Sequence, residues 1–307
     1  MEKINSKGKF SGDLKYDEPM SGHTSFKIGG NADIWVRPCK DIFPEYAKIL
    51  LKAADEEGLP VFVLGAGANI LVSDMGIRGI VLDTGAWEGI EDESCEVVRV
   101  LSGTSVDGLT DQLADKGLSG MEFLAGMPGS IGGAVWMNAR CYEKSVSDVL
   151  IETEILDENH DKQIILYCPE DFGYKKSLFQ DRKTLILSAL FAVQKRAPEE
   201  MRNDMAAHRQ DRDDKGHYRF PSAGSAFKNN RDFGDPTGKI IDQLGLRGFS
   251  IGGAQIAPWH GNIVINTGDA RAKDIRSLMD EVAMRVKEER GFDLESEILF
   301  VGDWSGT

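Results

Sequence analysis

Two glycine-rich turns hold the residue types best suited to gripping an anion. The first is Val61-Phe62-Val63-Leu64-Gly65-Ala66-Gly67-Ala68-Asn69-Ile70-Leu71. The second is Leu124-Ala125-Gly126-Met127-Pro128-Gly129-Ser130-Ile131-Gly132-Gly133-Ala134-Val135. Glycine has no Cβ, so backbone can approach a ligand closely and successive N–H groups can converge on a negative charge. One such turn often does no more than punctuate strands. Two in one domain suggest a ligand gripped from both sides, with a pyrophosphate as the fitting target.

A third segment, Pro221-Ser222-Ala223-Gly224-Ser225-Ala226-Phe227-Lys228-Asn229, sets a hydroxyl, an amine and an amide beside a flexible glycine. That combination suits a polar, anionic substrate. Ser225 is not the nucleophile of a G-x-S-x-G elbow, because Phe227 stands where the second glycine belongs. A capped turn, with Ser225 bonding local backbone, explains the same residues. Glu295-Ser296-Glu297-Ile298 brings two carboxylates to the start of a strand, where alternation puts them on one face. Trp259-His260-Gly261-Asn262 sets a histidine beside a turn glycine. Each of these two is more often structural or solvated than catalytic. The five histidines form no metal-binding pattern.

The first turn invites a Rossmann reading. Strand Val61–Leu64 runs into Gly65-Ala66-Gly67, and a later strand ends in Asp83, about 20 residues on, where a ribose-binding acid would stand. The third glycine is missing, however. Val72-Ser73-Asp74-Met75-Gly76-Ile77-Arg78-Gly79 has no helical apolar spacing, so the crossover helix of a parallel βαβ unit has no place to form. The Rossmann fold is therefore rejected.

The 307 residues suffice for two domains by the prior of roughly 100–200 residues each. The 41% apolar and 28% charged content is that of a soluble globular protein. A net charge of −14 argues against nucleic acid or an anionic membrane as partner. Any anionic ligand must then be held by local donors. Met1–Lys7 has no apolar core of a targeting segment, and no apolar run reaches membrane-span length. Cys39, Cys95, Cys141 and Cys168 include no C-x-x-C pair; free, buried thiols in a reducing cytoplasm are expected.

The elements that would position these residues follow from periodicity. Asp41 reads as the N-cap of a helix through about Glu57, closed by Gly58. Strands are expected at 61–64, 80–83, 97–102, 149–156, 162–167 and 184–194, and Ser105 caps a short helix ending at Gly117. The charge-rich stretch from Lys195 to Lys215 reads as an exposed helix and linker, with a domain boundary near 196. Beyond it come a helix over 239–245 and short strands at 255–256 and 263–265. Ile275, Leu278, Met279, Val282, Ala283 and Val286 then mark one face of a long helix ending at Gly291. A last strand spans 298–301. Helices and strands mix without strict alternation, so the class is α+β.

Taken together, these segments resemble the UDP-N-acetylenolpyruvoylglucosamine reductase family, in its shorter form. The carriers are Thr24-Ser25-Phe26-Lys27-Ile28-Gly29-Gly30, Gly67-Ala68-Asn69-Ile70-Leu71-Val72, Gly126–Ala134 with Met137-Asn138-Ala139, Ser222–Asn229, His260-Gly261-Asn262 and Leu294-Glu295-Ser296-Glu297. Their order and spacing cover nearly the whole chain. The resemblance implies a two-part FAD-binding domain of the vanillyl-alcohol-oxidase type over residues 1–195, divided near 85. A smaller substrate-binding domain would follow over 196–307, with strand 297–301 reaching the active site. It implies non-covalent FAD held by Gly65, Ala66, Gly67, Ala68, Asn69, Ile70, Pro128, Gly129, Ser130, Gly132, Gly133 and Ala134. It implies NADPH as hydride donor and an enolpyruvyl nucleotide sugar as acceptor, in cytoplasmic peptidoglycan synthesis. Ser225 falls on the family's proton donor, Glu297 on its glutamate and Lys175 on its active-site arginine. Tyr174, Lys215, Lys228, Asn229, Gln255, His260 and Asn262 fall at substrate-contacting positions.

The chain departs from the pattern at several places. Lys175 replaces an arginine, Gly216-His217 a Gln-Pro pair, Asn230 a proline, and Arg140 and Glu143 two glycines. The flavin grip is intact, whereas the residues that orient substrate differ. Two alternatives therefore stand beside the reductase: a related FAD-dependent oxidoreductase with another substrate, and a non-catalytic flavin or nucleotide-sugar binder.

Overall fold

The computed structural model describes residues 10–306; Met1–Lys7, expected to carry no targeting segment, lies outside them. The chain forms two compact units, each assembled from separate stretches of sequence. The first takes residues 10–16, Ile34–Ala66 and Gly79–Arg209; the second takes Asp17–Asp33, Gly67–Arg78 and 210–306. The charge-rich stretch is the helix Pro198–Asp214, and the chain changes unit within it, after Arg209. Asp17–Asp33 and Gly67–Arg78 also fold with the C-terminal part, which a linear reading of composition does not anticipate.

In the first unit, Val61–Leu64 pairs in parallel with Ile77–Asp83, Val61 opposite Ile80. The sheet runs Gly12–Pro19, Asn31–Pro38, Ile77–Asp83, Val61–Leu64. Helix Phe43–Glu56 buries Phe43, Tyr46, Ala47, Leu50, Leu51 and Ala54, a stripe at helical spacing, in a core with Val36, Ile80 and Leu82. Asp41 is not its N-cap. Lys40–Ile42 forms a separate tight turn, the helix begins after Ile42 with no side-chain cap, and Pro44 pre-sets the first turn. A second, antiparallel sheet runs Lys162–Leu166, Leu150–Leu156, Leu185–Ala192, Val97–Leu101, Ile90–Glu93. Helix Val106–Lys116 and the short helix Ile131–Trp136 share a core with it, built on Val98, Val100, Leu109, Leu113, Val135 and Phe191. Ser105 caps Val106–Lys116 as expected, accepting from Gly108 N at 3.3 Å.

The parallel pair has no crossover helix: the chain between Leu64 and Ile77 contains only turns and the strand Ile70–Val72. Asp83, the would-be ribose acid, is buried and held by Arg37, whose Nε and Nη2 each donate at 3.0 Å; Gly85 N adds a third bond at 2.7 Å. The arginine in turn is held charged by that carboxylate, which raises its pKa further. The four cysteines, all among the described residues, form no disulfide, but the expectation of burial fails. Cys39, Cys95 and Cys168 are exposed and Cys141 is half-buried, because all four lie in loops or at element ends rather than on core faces.

In the second unit a sheet runs Ser222–Ser225, Ile263–Asn266, Ala254–Ile256, Ser250–Ile251. Helix Ala272–Arg290 buries Ile275, Leu278, Met279, Val282 and Val286 and ends at Gly291. These side chains share a core with Phe26, Ile28 and Leu71 from the two inserted stretches. Strand Leu299–Val301 pairs in parallel with Ile70–Val72. Arg37→Ala would leave the Asp83 carboxylate buried without its cation. It is expected to destabilise the protein by about 2–3 kcal/mol in urea unfolding, with Arg37→Lys recovering only part because lysine lacks the bidentate fork. Unchanged unfolding midpoints in both variants would show the pair to be dispensable.

Candidate active site

Close packing leaves no room for a Cβ at Gly65 and Gly67 in the first turn or at Gly132 in the second, where it would lie 2.9 Å from Ser102 Cβ. A Cβ on Gly65 would lie 2.3 Å from Ser130 Oγ, so in the first unit the start of the first turn lies against the second. Ser130 is buried and caps helix Ile131–Trp136, accepting from Gly133 N at 3.4 Å. Ile131 N donates to Thr104 O at 2.9 Å and Gly132 N to Ser102 O at 2.7 Å. The amides of 131–133 are thus engaged by protein. Just before them, and among the described residues, the amides of Gly129 and Ser130 donate to no protein acceptor, so the second turn also leaves successive N–H groups for a ligand. Pro128, Gly129 and Ala134 lie in the same turn and helix start. The first turn leaves a longer run of such amides. Among the described residues, the amides of Gly65, Ala66, Gly67 and Ala68 donate to no protein acceptor. Gly67 is left-handed at φ 64°, and a Cβ there would lie 2.0 Å from His23 O. Ser25 closes the turn from outside, its N donating to Gly67 O at 3.1 Å and its Oγ to Ala68 O at 3.3 Å. Consecutive amide donors around a left-handed residue fit an anion such as a pyrophosphate.

In the second unit, backbone pairing brings Ser225 and Glu297 to neighbouring segments. Gly224, left-handed at φ 74°, lies in an irregularity between the Ser222–Ile265 and Ser225–Ile263 pairs, after which Ser225 is the last paired residue of its strand. Beyond it, Ala226 O accepts from Glu297 N at 2.9 Å, Phe227 bridges Ser296, and Lys228 N donates to Glu295 O at 2.8 Å. Glu297 is buried, and its carbonyl accepts from Asn69 Nδ2 at 2.9 Å. Ile70, next to Asn69, begins the strand paired with Leu299–Val301. Asn262, also buried, holds the other side: its Oδ1 accepts from Phe227 N at 3.0 Å and its Nδ2 donates to Phe227 O at 2.8 Å. Its own N donates to His260 Nδ1 at 3.1 Å. His260 and Asn262 therefore brace the Ser225 segment through their polar atoms.

Tyr174 and Lys175 form the tip of a hairpin in the first unit, between Phe172–Gly173 and Lys176–Ser177. Lys175 is left-handed at φ 55°, uncommon for a residue with a long side chain and a mark of functional or structural constraint. Three side chains pin the hairpin. Asn138 Nδ2 donates to Gly173 O at 2.8 Å and Ser177 Oγ to Trp136 O at 2.6 Å. Gln180 Nε2 donates both to Trp136 O at 3.0 Å and to Lys175 O at 3.1 Å. The Lys175 backbone is thereby tied to the helix that follows the second glycine turn. Sequence reasoning missed Gln180, which carries no motif; Asn138 stood within one.

The other substrate-side residues have protein partners. Lys215 pairs with Asp211 at 2.7 Å and Lys228 with Glu295 at 2.5 Å. Asn229 Oδ1 accepts from Thr237 N at 2.9 Å, at the start of helix Thr237–Gln243. Gln255 Nε2 donates to Gly248 O and Ser250 Oγ. At the departures, Glu143 adopts φ 64°, a left-handed conformation that favours glycine, and Arg140 donates to Ser145 Oγ. Gly216 lies against the Trp259 indole. His217 and His260 have ring centres 6.2 Å apart. Burial, then the nearby Arg212, His260 and Lys215, pushes His217 down to about 4. Burial, with Arg247 and Lys215, also lowers His260.

Known proteins match this chain along nearly its whole length. Residues 216–301 match the family model described as UDP-N-acetylenolpyruvoylglucosamine reductase, C-terminal domain, and residues 45–161 match that of an FAD binding domain. The UDP-N-acetylenolpyruvoylglucosamine reductase of Treponema denticola is 41% identical, over 95% of each chain. That of Borreliella burgdorferi is 38% identical, over 92% of this chain and 93% of its own. The crystal structure of the Thermus caldophilus UDP-N-acetylenolpyruvylglucosamine reductase superposes with a TM-score of 0.78 at 32% identity, covering 95% of this chain and 99% of that one.

Two outcomes are expected. Gly67→Ala sets a Cβ into the His23 carbonyl and strains φ, so it should lower the unfolding midpoint and weaken flavin uptake; wild-type values for both would remove Gly67 from the anion grip. His217 protonates near 6.5 when unfolded and near 4 when folded. Between those values the unfolded chain binds more protons, so stability rises with pH, and acidification through this window destabilises. His217→Gln should flatten the slope of unfolding free energy between about pH 4 and 6.5. An identical slope would show that the histidine is not buried neutral.

Proposed function

The chain belongs to the UDP-N-acetylenolpyruvoylglucosamine reductase family, and from that premise we propose that it reduces UDP-N-acetylglucosamine enolpyruvate to UDP-N-acetylmuramate. NADPH is the reductant and FAD the non-covalent carrier, in cytoplasmic peptidoglycan synthesis. The observation that supports this most is the pairing of the Ser225 segment with 295–297, which seats a hydroxyl donor one residue from the backbone partner of a buried glutamate. The amides of 65–68 and the Cβ-free second turn support FAD in the region of the FAD binding domain match. Residues 1–195 are assigned to the flavin and 196–307 to the substrate.

Bound FAD supplies a two-electron carrier between NADPH and the enolpyruvyl double bond. Hydride addition at the terminal vinyl carbon leaves the electron pair on the adjacent carbon, conjugated with the substrate carboxylate. Ser225 Oγ–H breaks and gives that carbon its proton, and the alkoxide is reprotonated from solvent. A serine is a weak acid, but the enolate-like carbon is strongly basic and the donor is prepositioned. Glu297 and Lys175 balance charge around the carboxylate and enolate. Tyr174, Lys215, Lys228, Asn229 and Gln255 contact the nucleotide sugar, with His260 and Asn262 supporting them. Lysine at 175, where arginine is usual, favours one further reading: an FAD-dependent oxidoreductase of the same superfamily acting on a different substrate.

The test separates the half-reactions. Ser225→Ala should leave flavin reduction by NADPH intact and slow reoxidation by the enolpyruvyl sugar by about a hundredfold; equal slowing of both would make Ser225 structural. Lys175→Ala should impair reoxidation and Lys175→Arg should retain or raise it, since a guanidinium holds a carboxylate more rigidly. Equal reoxidation rates in wild type and both variants would place Lys175 outside the site. Wild-type enzyme whose reduced flavin is not reoxidised by this sugar would favour the other substrate.

A further inference from the structure

We propose that the side chain of Asn69 is a positioning residue for Glu297 and not a ligand of the flavin, so that one residue serves two tasks: its backbone belongs to the anion-binding turn and its amide fixes the glutamate. The inference deepens the reading of the site given above and rests on it.

Both backbone polar groups of Glu297 are engaged by partners distant in sequence. Its N–H donates to Ala226 O at 2.9 Å, and its carbonyl accepts from Asn69 Nδ2 at 2.9 Å. Only the NH2 end of an asparagine can serve a carbonyl acceptor, so the orientation of the amide is settled by chemistry. Glu297 sits where the C-terminal segment changes partners. Residues 295–297 are bonded to 226–228, and 299–301 are paired with 70–72, with Leu299 N donating to Asn69 O at 3.1 Å. At such a changeover no regular ladder sets the backbone dihedrals. Here two specific bonds set them instead, and with them the direction of the Glu297 Cα–Cβ bond. Asn69 makes one of these bonds from its side chain, which substitution can remove while leaving the turn backbone in place.

Three measurements on the full chain test this. FAD affinity, from titration of the flavin-free protein followed by flavin fluorescence, should be the same in Asn69→Ala as in wild type. Hydrogen exchange at the Glu297 amide should be faster in Asn69→Ala, with or without FAD. In the FAD-saturated enzyme, reoxidation by the enolpyruvyl sugar should slow by about tenfold to a hundredfold, with a shifted pH profile, while reduction by NADPH is unchanged. Asn69→Asp keeps the shape but turns an acceptor toward the carbonyl, so its Glu297 amide should exchange at least as fast as in Asn69→Ala. Weakened FAD binding with unchanged exchange at Glu297 would overturn the proposal and return the Asn69 side chain to the flavin. Unchanged exchange with unchanged rates would overturn it as well. Should the wild-type enzyme fail to reduce this sugar, the reductase reading falls, and the exchange measurement still decides whether Asn69 positions Glu297.

Discussion

Backbone hydrogen bonds made by the segment 295–301 hold together the parts of the second unit that bear on chemistry. Its first half is bonded to 226–228, next to Ser225, and its second half is paired with 70–72, next to the first glycine turn. Buried backbone groups must be satisfied, and a three-residue strand contributes few bonds, so each one matters. Asn69 and Asn262 are polar side chains recruited to finish that work where regular pairing stops. Ser225 and Glu297 are thereby carried on adjoining, hydrogen-bonded segments, as the proton-donor role proposed for Ser225 requires.

The two glycine turns obey different constraints. In the first, carbonyl and hydroxyl groups crowd the positions where Cβ atoms would stand, and the amides of 65–68 have no protein acceptor. In the second, neighbouring carbonyls and the Ser130 cap occupy the amides of 131–133. Just before them the amides of Gly129 and Ser130 have no protein acceptor among the described residues, so both turns leave amide donors for a ligand. The same short helix, through the Trp136 carbonyl, anchors the hairpin that carries Lys175, so one element of the first unit serves both the second turn and that lysine.

Charge sets a further condition. The chain carries −14 overall, and the lysines proposed to meet the nucleotide sugar, Lys215 and Lys228, are each paired with a carboxylate. These exposed pairs are weak in water. A pyrophosphate or carboxylate can therefore replace the protein carboxylate at modest cost, provided that its own hydrogen bonds are met. The neighbouring histidines, His217 and His260, are disfavoured as cations by burial, so near neutral pH they add no positive charge there.

Much was legible in the sequence because it is local. The stripe from Ile275 to Val286, the Ser105 cap and the missing crossover helix after Leu71 all depend on residues within a few turns of one another, and all appear in the structure. The ordered set of motifs was enough to identify the family. Tertiary structure alone decided that 17–33 and 67–78 fold with the C-terminal part. It alone decided that Asn69 reaches Glu297, that Gln180 holds Lys175, and that Cys39, Cys95 and Cys168 are exposed. Spacing along a chain encodes which face of an element is apolar. It does not encode which distant carbonyl a side-chain amide will meet, because that partner is selected only when the whole core has packed.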